Sequence, residues 1–288
     1  MPYLIHLAIL FSIYAILGIS LNLVVGYTGL LSVAEAAFYG IGAYITALLM
    51  LNFGFNFFIA MTVGIVAGAL IALAIGLVLS KFNGDYYALA SLGFGVIIYS
   101  IFLNWQSVTN GPLGLPGIPR PMLFGFTFSD NTTFLGLSLV TLILAWLVAR
   151  FIVNSSFGRI LKAIREDEKA IRVFGYRTLN YKLLIFVIGA AMAAIAGSLY
   201  AAYITYIDPT TFTVDASIFI VAIIILGGLA SLRGSIVGAA FLVILPEFLR
   251  FVGFPDQIAA QMRQAVYGLL LILLMLYRPQ GLVGEYKL

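Results

Sequence analysis

Long apolar runs separated by short polar turns make up most of this chain. The segment 216–250 is also apolar but is interrupted by glycines, which leaves open either two spans or a broken, partly re-entrant hairpin. Runs of roughly twenty apolar residues, the length a helix needs to cross a bilayer, lie at 3–25, 30–51, 57–79, 86–104, 134–153 and 184–206, with a last run at 264–277. The pattern predicts an all-α, polytopic transmembrane helical bundle of about eight to ten spans.

Composition supports a membrane protein and excludes several other classes. Of 288 residues, 63% are hydrophobic and 9% charged, whereas a soluble domain has about 25% charged residues. The chain has no cysteine and a single histidine, His6, so no thiol metal site is expected and no metal ligand set is predicted. No phosphate-binding loop occurs, so we expect neither ATP hydrolysis nor a bound cofactor in this chain. Without a broad basic face, nucleic-acid binding is not expected.

The one strongly charged interval is 154–182. Its apolar residues recur at spacings of three, four and seven, as on one face of a helix: Phe157, Ile160, Leu161, Ile164, Ile171 and Phe174. Ser155 or Ser156 is suited to cap its start, and Gly175 to end it in a left-handed turn. The sequence therefore predicts an amphipathic helix outside the membrane, and its excess of Lys and Arg places the interval on the cytoplasmic side. By alternation, the C-terminus is also cytoplasmic, and the Pro- and Gly-rich loop at about 105–133 is external.

Glycine-rich interruptions mark two candidate parts of a translocation pathway, because a broken helix exposes backbone polar groups to a solute. The candidates are Ser32, Glu35, Tyr39, Gly40, Gly42, Gly227 and Gly228. An ionised Glu35 should face protein or water rather than lipid. It either lines the pathway or lies at the cytoplasmic interface near Gly29, and each glycine can equally serve close helix packing.

Four stretches together resemble the permeases of bacterial ABC importers for branched-chain amino acids, the LivM type. They are GYTGLLSVAEAAFYGIGAYITALL (26–49), SSFGRILKAIREDEKAIRVFGYRTLNYKLLIFVIGAAMAAIAGSLYA (155–201), ILGGLASLRGSIVGAAFLV (225–243) and YGLLLILLMLYRPQGL (267–282). The resemblance implies one multi-pass permease domain, 1–288, in the bacterial inner membrane. It also implies a sister permease subunit, two cytoplasmic ATPase subunits that hold ATP and Mg²⁺, and an external substrate-binding protein. Members of the family carry hydrophobic amino acids, and close relatives carry urea or short amides.

The resemblance further implies that the cytoplasmic loop docks on the ATPase. The matching positions are Arg159, Arg165, Glu166, Glu168 and Gly175, and the apolar residues expected to enter the ATPase are Phe157, Leu161, Ile164 and Ile171. Because that apolar face lies outside the membrane, Leu161→Asp should abolish docking while leaving insertion and folding nearly unaffected. Glu168 lies seven residues before Gly175, not the six of other importers, and Leu30 and Glu35 stand where the family often has Gln and a neutral polar residue.

One alternative of a different class is a secondary transporter or channel driven by ions through Glu35. Such a protein has no need for a helix with an apolar face outside the membrane, so the 154–182 interval favours the importer subunit. The substrate is not determined by the sequence, since the pathway candidates are mostly small residues.

Overall fold

The computed structural model describes residues 2–82, 84–123, 125–251, 266, 268–269, 272–273, 276–277 and 280–284. Its helices are α1 (Pro2–Leu21, continued by a π-helical segment, Asn22–Gly26), α2 (Glu35–Phe53), α3 (Phe57–Leu79), α4 (Asp85–Asn104), α5 (Gln106–Thr109), α6 (Asn131–Asn154), α7 (Ser156–Val173), α8 (Thr178–Ile204), α9 (Val214–Gly227) and α10 (Leu232–Phe251). The two-residue strands are β1 (Leu115–Pro116), β2 (Met122–Leu123), β3 (Phe126–Thr127) and β4 (Tyr206–Ile207), and short 3₁₀ turns cover Gly111–Leu113 and Pro209–Phe212.

The predicted polytopic helical class is confirmed. Within the described residues, six helices are long and apolar enough to cross a membrane, and α9 with α10 forms a pair bent by 120°. The predicted last run, 264–277, lies largely outside the described residues. The total number of spans therefore stays a prediction.

Helices α1, α2 and α8 form the centre of the bundle. In the most apolar stretch of α2, 67% of residues are buried, against 22% in α6, which lies at the periphery. Small residues bring α2 and α8 together, since a Cβ added at Gly42 would lie 2.2 Å from the carbonyl oxygen of Ala194. The hydroxyls of Thr46 and Ser198 hydrogen-bond across this contact at 2.7 Å. Close approach of small residues is the usual basis of helix packing in membranes.

Helix α3 packs through one ridge of small residues. Gly64, Gly68, Ala72 and Gly76 recur every four residues, and all four are buried. Their neighbours come from α2 and α8. A Cβ at Gly64 would lie 3.1 Å from the Thr46 hydroxyl of α2, and a Cβ at Gly68 would lie 3.2 Å from the Ala194 side chain of α8. The four-residue spacing of these small residues thus coincides with the packed face of α3.

Helix α2 begins at Glu35, five residues later than the apolar run predicts. Gly29 adopts φ +74°, which ends the α1 helical path. The amides that follow bond to side chains: the Val33 N–H donates to Ser91 Oγ at 3.0 Å, and the Ala36 N–H donates to Ser217 Oγ at 3.0 Å. Polar side chains from other helices therefore take up backbone groups that a longer helix would pair internally.

Helix α7 and the 105–133 loop lie at opposite ends of the bundle. Helix α7 leads directly into the start of α8, whereas β1 in the loop pairs with β4, which follows the end of α8. A helix of 27 residues separates these ends by about 40 Å. The loop contains β1, β2 and β3, a 3₁₀ turn and the short helix α5, which its prolines and glycines did not predict.

Helices α9 and α10 are bent by 120° to each other across a short break, and we call this pair the hairpin. Helix α9 starts just beyond β4, and the later part of α10, at Ile244, lines an apolar groove with Leu4 of α1. The first turns of α1 share this end of the bundle, because the ring nitrogen Nδ1 of His6 lies 2.6 Å from the Tyr203 hydroxyl, near the end of α8. Both arms thus lead towards the same end, and the tip at 228–231 lies beside Gly26, at the other end of the α1 helical path. Two spans and a re-entrant hairpin both stay open for 216–250, because the bend fits a broken span as well as a re-entrant loop.

Candidate functional site

Helix α7 is capped as predicted but contains a break that the sequence analysis did not predict. The Ser155 hydroxyl accepts a hydrogen bond from the Gly158 amide at 3.3 Å, and Gly175 ends the segment at φ +87°. Asp167 is extended inside the helix, at φ −153° and ψ 97°. Its carboxylate accepts from the amides of Lys169 and Ala170 at 2.9 and 3.0 Å, so it caps a second helical segment. We call residues 156–166 the inner half and 168–176 the outer half.

The inner half buries its apolar face inside this chain. Leu161 is fully buried and Ile164 is 3% exposed. Phe157 is half-buried and stacks on Tyr181 of α8, with ring centroids 5.4 Å apart. The expectation that Leu161 and Ile164 enter an ATPase is therefore wrong, because the neighbouring helices of the same chain already cover them.

Two charged positions of the inner half differ in environment. Arg165 is half-buried and donates a hydrogen bond to the carbonyl of Gly26, at the end of the π-helical segment. Arg159 is exposed and donates a hydrogen bond to the Ser156 hydroxyl at 2.9 Å. Glu166 is also exposed. The inner half is thus fastened to α1, while Arg159 and Glu166 are exposed.

The outer half is anchored to α8 through Glu168. Its carboxylate accepts hydrogen bonds from Lys182 at 2.5 Å, from Arg172 at 2.7 Å and from the Thr178 hydroxyl at 2.9 Å. Partial burial acts to raise the pKa of Glu168, but the three donors outweigh it and the net pKa lies below the usual 4.5. Glu168 is therefore a structural anchor that holds the outer half against the start of α8.

The outer half carries the exposed apolar residues of this region. Val173 is 87% exposed and Phe174 is 77% exposed, and Tyr176 follows them at 44%. Ile171 is half-buried. Because large apolar side chains at a polar end of a membrane protein cost free energy in water, clusters of them mark surfaces that meet another molecule. The sequence analysis placed Phe174 on the apolar face but did not single out Val173.

The pathway candidates of the first glycine-rich segment are all buried. Glu35 is 4% exposed and forms a hydrogen bond with the Ser20 hydroxyl of α1. Ser32 is 2% exposed, and its hydroxyl accepts from the Ala34 amide at 3.4 Å. Glu35 thus lies between α1 and α2, away from lipid, as the cost of a charged group in the membrane requires.

Tyr39 belongs to a buried aromatic cluster. Its ring lies 5.0 Å from that of Phe212 and 5.6 Å from that of Tyr200, and its hydroxyl finds no hydrogen-bond partner among the described residues. Gly40 provides the room for this cluster, since a Cβ there would lie 2.6 Å from Phe102. Gly42 serves the contact with α8 described above. Helix packing accounts for both glycines, and no solute-filled space is needed to explain them.

Gly227 and Gly228 form the turn of the hairpin. A Cβ at Gly227 would lie 2.0 Å from the carbonyl oxygen of Gly234, so the arms touch through their backbones. Gly228 adopts φ +119°, which favours glycine. The amides of Leu282 and Val283 donate to the carbonyls of Leu226 and Gly227, each at 2.9 Å. The C-terminal segment 280–284 therefore caps the end of α9.

Asn22, which the sequence analysis did not single out, binds the same turn from α1. Its Oδ1 accepts from the Ala230 amide at 2.9 Å, and its Nδ2 donates to the Ser231 carbonyl at 2.9 Å and to Ser235 Oγ at 2.7 Å. An asparagine within an apolar run is a signal that the sequence offered, because a polar side chain in such a helix needs hydrogen-bond partners. In the structure Asn22 is fully buried. Its partners lie about two hundred residues away, so the sequence alone could not name them.

The geometry agrees with the similarity of the chain to known proteins. A family model described as "Branched-chain amino acid transport system / permease component" matches residues 3–275. The chain belongs to this permease family. It is a multi-pass membrane protein of a family whose known members are transport permeases.

Three relatives illustrate the range of the family. The chain is 35% identical to the high-affinity branched-chain amino acid transport system permease protein LivM of Escherichia coli, over 97% of this chain and 69% of that protein. It is 26% identical to a probable LivM of Methanocaldococcus jannaschii, over 96% of this chain and 91% of that protein. It is also 29% identical to the permease protein LivH of Salmonella typhimurium, over 95% and 92% of the two chains. No solved structure matches it.

Proposed function

We propose that this chain is a membrane permease subunit of an ATP-binding-cassette importer that carries branched-chain and other hydrophobic amino acids. The observation that carries the proposal is the family match across residues 3–275, nearly the whole chain. The substrate comes from the printed names of the relatives, which are branched-chain amino acid permeases. In this proposal residues 1–288 act as one permease domain in the bacterial inner membrane. It works with a sister permease, two ATPase subunits and an external binding protein.

Charge and topology support one orientation for the chain. The α7 region concentrates basic residues, and such an excess in a short loop favours the cytoplasmic side. The 105–133 loop lies at the other end of α8, which makes it external and available to a binding protein. The segment 280–284 contacts the hairpin tip near Gly26, at the end of the bundle where Arg165 of α7 binds, so the C-terminus is cytoplasmic in this orientation.

The outer half of α7 is our revised candidate for the surface that docks on the ATPase. Its exposed Val173 and Phe174 supply apolar area, while Arg159 and Glu166 lie exposed on the same helix and suit a polar rim. Arg165 and Glu168 hold the helix in place from within the chain. Phe157 and Ile171, both half-buried, stay candidates for the edge of this surface, and Gly175 ends it.

Ser32, Glu35, Tyr39 and the glycines Gly40, Gly42, Gly227 and Gly228 stay candidates for the pathway wall. All are interior residues of α2, of the segment before it or of the hairpin. Glu35 is the strongest of them, because a buried acid between two central helices costs free energy and such residues in membrane proteins are usually functional.

The test is transport by the assembled importer. The chain is reconstituted in proteoliposomes with its sister permease, the two ATPases and the binding protein, and uptake of labelled leucine is followed with and without ATP. We expect leucine uptake to require both ATP and the binding protein. We expect alanine to compete with leucine only weakly. Uptake of urea in place of leucine would show that the proposed substrate class is wrong. Leucine uptake driven by an ion gradient without the ATPases would refute the importer proposal.

A further inference from the structure

The π-helical segment Asn22–Gly26 contacts both α7 and the hairpin tip. On one side, Arg165 of the inner half donates to the Gly26 carbonyl. That carbonyl lies where the α1 helical path ends, so the following turn supplies no regular partner for it. On the other side, a Cβ at Gly26 would lie 2.6 Å from the Ala230 amide nitrogen. One glycine therefore separates the α7 arginine from the hairpin backbone.

Asn22 fixes the tip to the same segment. The partners of its amide group are backbone groups with defined roles: the Ala230 N–H can only donate, and the Ser231 carbonyl can only accept. The orientation of the side-chain amide follows from these roles. Asn22 is fully buried, so the loss of these bonds would leave several polar groups unsatisfied.

The tip itself is held in a conformation that needs such support. Ala230 has φ +58°, a left-handed conformation that a residue with a side chain rarely adopts. Gly228 is packed against the C-terminal segment, with Gly284 backbone atoms about where a side chain would stand. The turn is thus clamped between Asn22 and residues 280–284.

We propose that Arg165 is a positioning residue that couples movement of α7 to the hairpin tip through Gly26 and Asn22. A shift of the inner half of α7 reaches Gly26 through the arginine, and then Ala230 through the π-helical segment and the Asn22 amide. The consequence for transport rests on the proposed function, since it is there that a partner ATPase would move α7. The mechanical link itself does not depend on it.

The link is tested first in the purified chain by amide hydrogen exchange at residues 229–231. Arg165→Met keeps the aliphatic stem and removes the donor to Gly26. We expect exchange at the Ala230 amide to rise roughly two- to tenfold, as for a weakened hydrogen bond. Asn22→Leu is the positive control, and Arg150→Gln, an exposed arginine of α6, is the matched negative control.

Unchanged exchange at Ala230 in Arg165→Met, with a clear rise in Asn22→Leu, would overturn the link. If Arg165→Met does not fold, Ser235→Ala takes its place at the other end, where it removes a contact of 2.7 Å to Asn22. The same rise is expected there, and its absence would overturn the inference.

The second arm measures leucine uptake per ATP hydrolysed in the reconstituted importer. We expect Arg165→Met to keep ATP hydrolysis and to lower this ratio about fivefold or more, within the usual range of coupling between sites. Arg165→Lys restores a donor and should recover most of the ratio. A normal ratio in Arg165→Met would overturn the role of Arg165 in transport. A wild-type complex that takes up no leucine, together with a positive exchange result, would refute the proposed function and leave the link standing.

Discussion

Phe174→Asp should release the ATPase while leaving the permease folded. Phe174 is 77% exposed, so most of its apolar surface is still free to be buried by a partner. Complete burial of such a side chain is worth about 1.5–3 kcal/mol, which leaves about 1–2 kcal/mol for docking. An aspartate at the interface adds a desolvation cost of at least about 1–3 kcal/mol. The sum, about 2–5 kcal/mol, corresponds to a loss of affinity of roughly 30-fold to several thousand-fold.

Leu161 lies on the same helix, but its substitution should destabilise the fold. It is fully buried in this chain, so Leu161→Ala should lower the free energy of unfolding by about 2–5 kcal/mol. The melting temperature in detergent should fall, whereas Phe174→Asp should leave it unchanged. This replaces the expectation from the sequence that a charge at position 161 would spare folding.

The assay is copurification of the ATPase with a tagged permease, together with the dissociation constant measured on the purified partners. Phe53→Asp is the matched control, because Phe53 is 69% exposed at the end of α2, far from α7. We expect that control to bind the ATPase normally. Wild-type affinity in Phe174→Asp, or an unchanged melting temperature in Leu161→Ala, would refute our division of α7 into a buried inner half and a docking outer half.

Three further predictions concern single positions. The donors around Glu168 hold its pKa below 4.5, so its stabilising contribution is complete at neutral pH and is lost as the pH falls below about 4.5; Glu168→Gln should remove this step from the pH dependence of the melting temperature. Gly42→Ala should destabilise the fold by about 1–3 kcal/mol because its Cβ would collide with α8, whereas Gly136→Ala, with nothing within 4 Å, should not, as thermal melts of both will show. Glu35→Gln should alter the rate of leucine uptake at normal expression, and wild-type kinetics would remove Glu35 from the pathway candidates.

The elements that rest on local pattern were predictable from the sequence. Helix α3 spans Phe57–Leu79, the same bounds as its apolar run, because Asn56 caps its start and polar residues follow its end. The small residues of α3 repeat every four positions, and this spacing alone identifies the packed face. The serine cap and the glycine stop of α7 are equally local signals.

Features that depend on distant partners were not predictable. The late start of α2 depends on hydroxyls of Ser91 and Ser217, which only the folded chain brings to its amides. The hairpin turn depends on Asn22 and on the C-terminal segment, from opposite ends of the sequence. The glycines of the pathway candidates were ambiguous for the same reason, since packing against a neighbour and lining a path require the same residue.

The error on α7 has a specific physical origin. Periodicity assigns all its apolar residues to one face, but that holds only for an unbroken helix. Asp167 breaks the helix and caps a new one, so the residues after it no longer share the face of Leu161 and Ile164. A straight amphipathic helix can bury its apolar face only once, either in its own chain or in a partner. The break lets α7 bury Leu161 in the bundle and still present Phe174 outward, as the proposed docking on an ATPase requires.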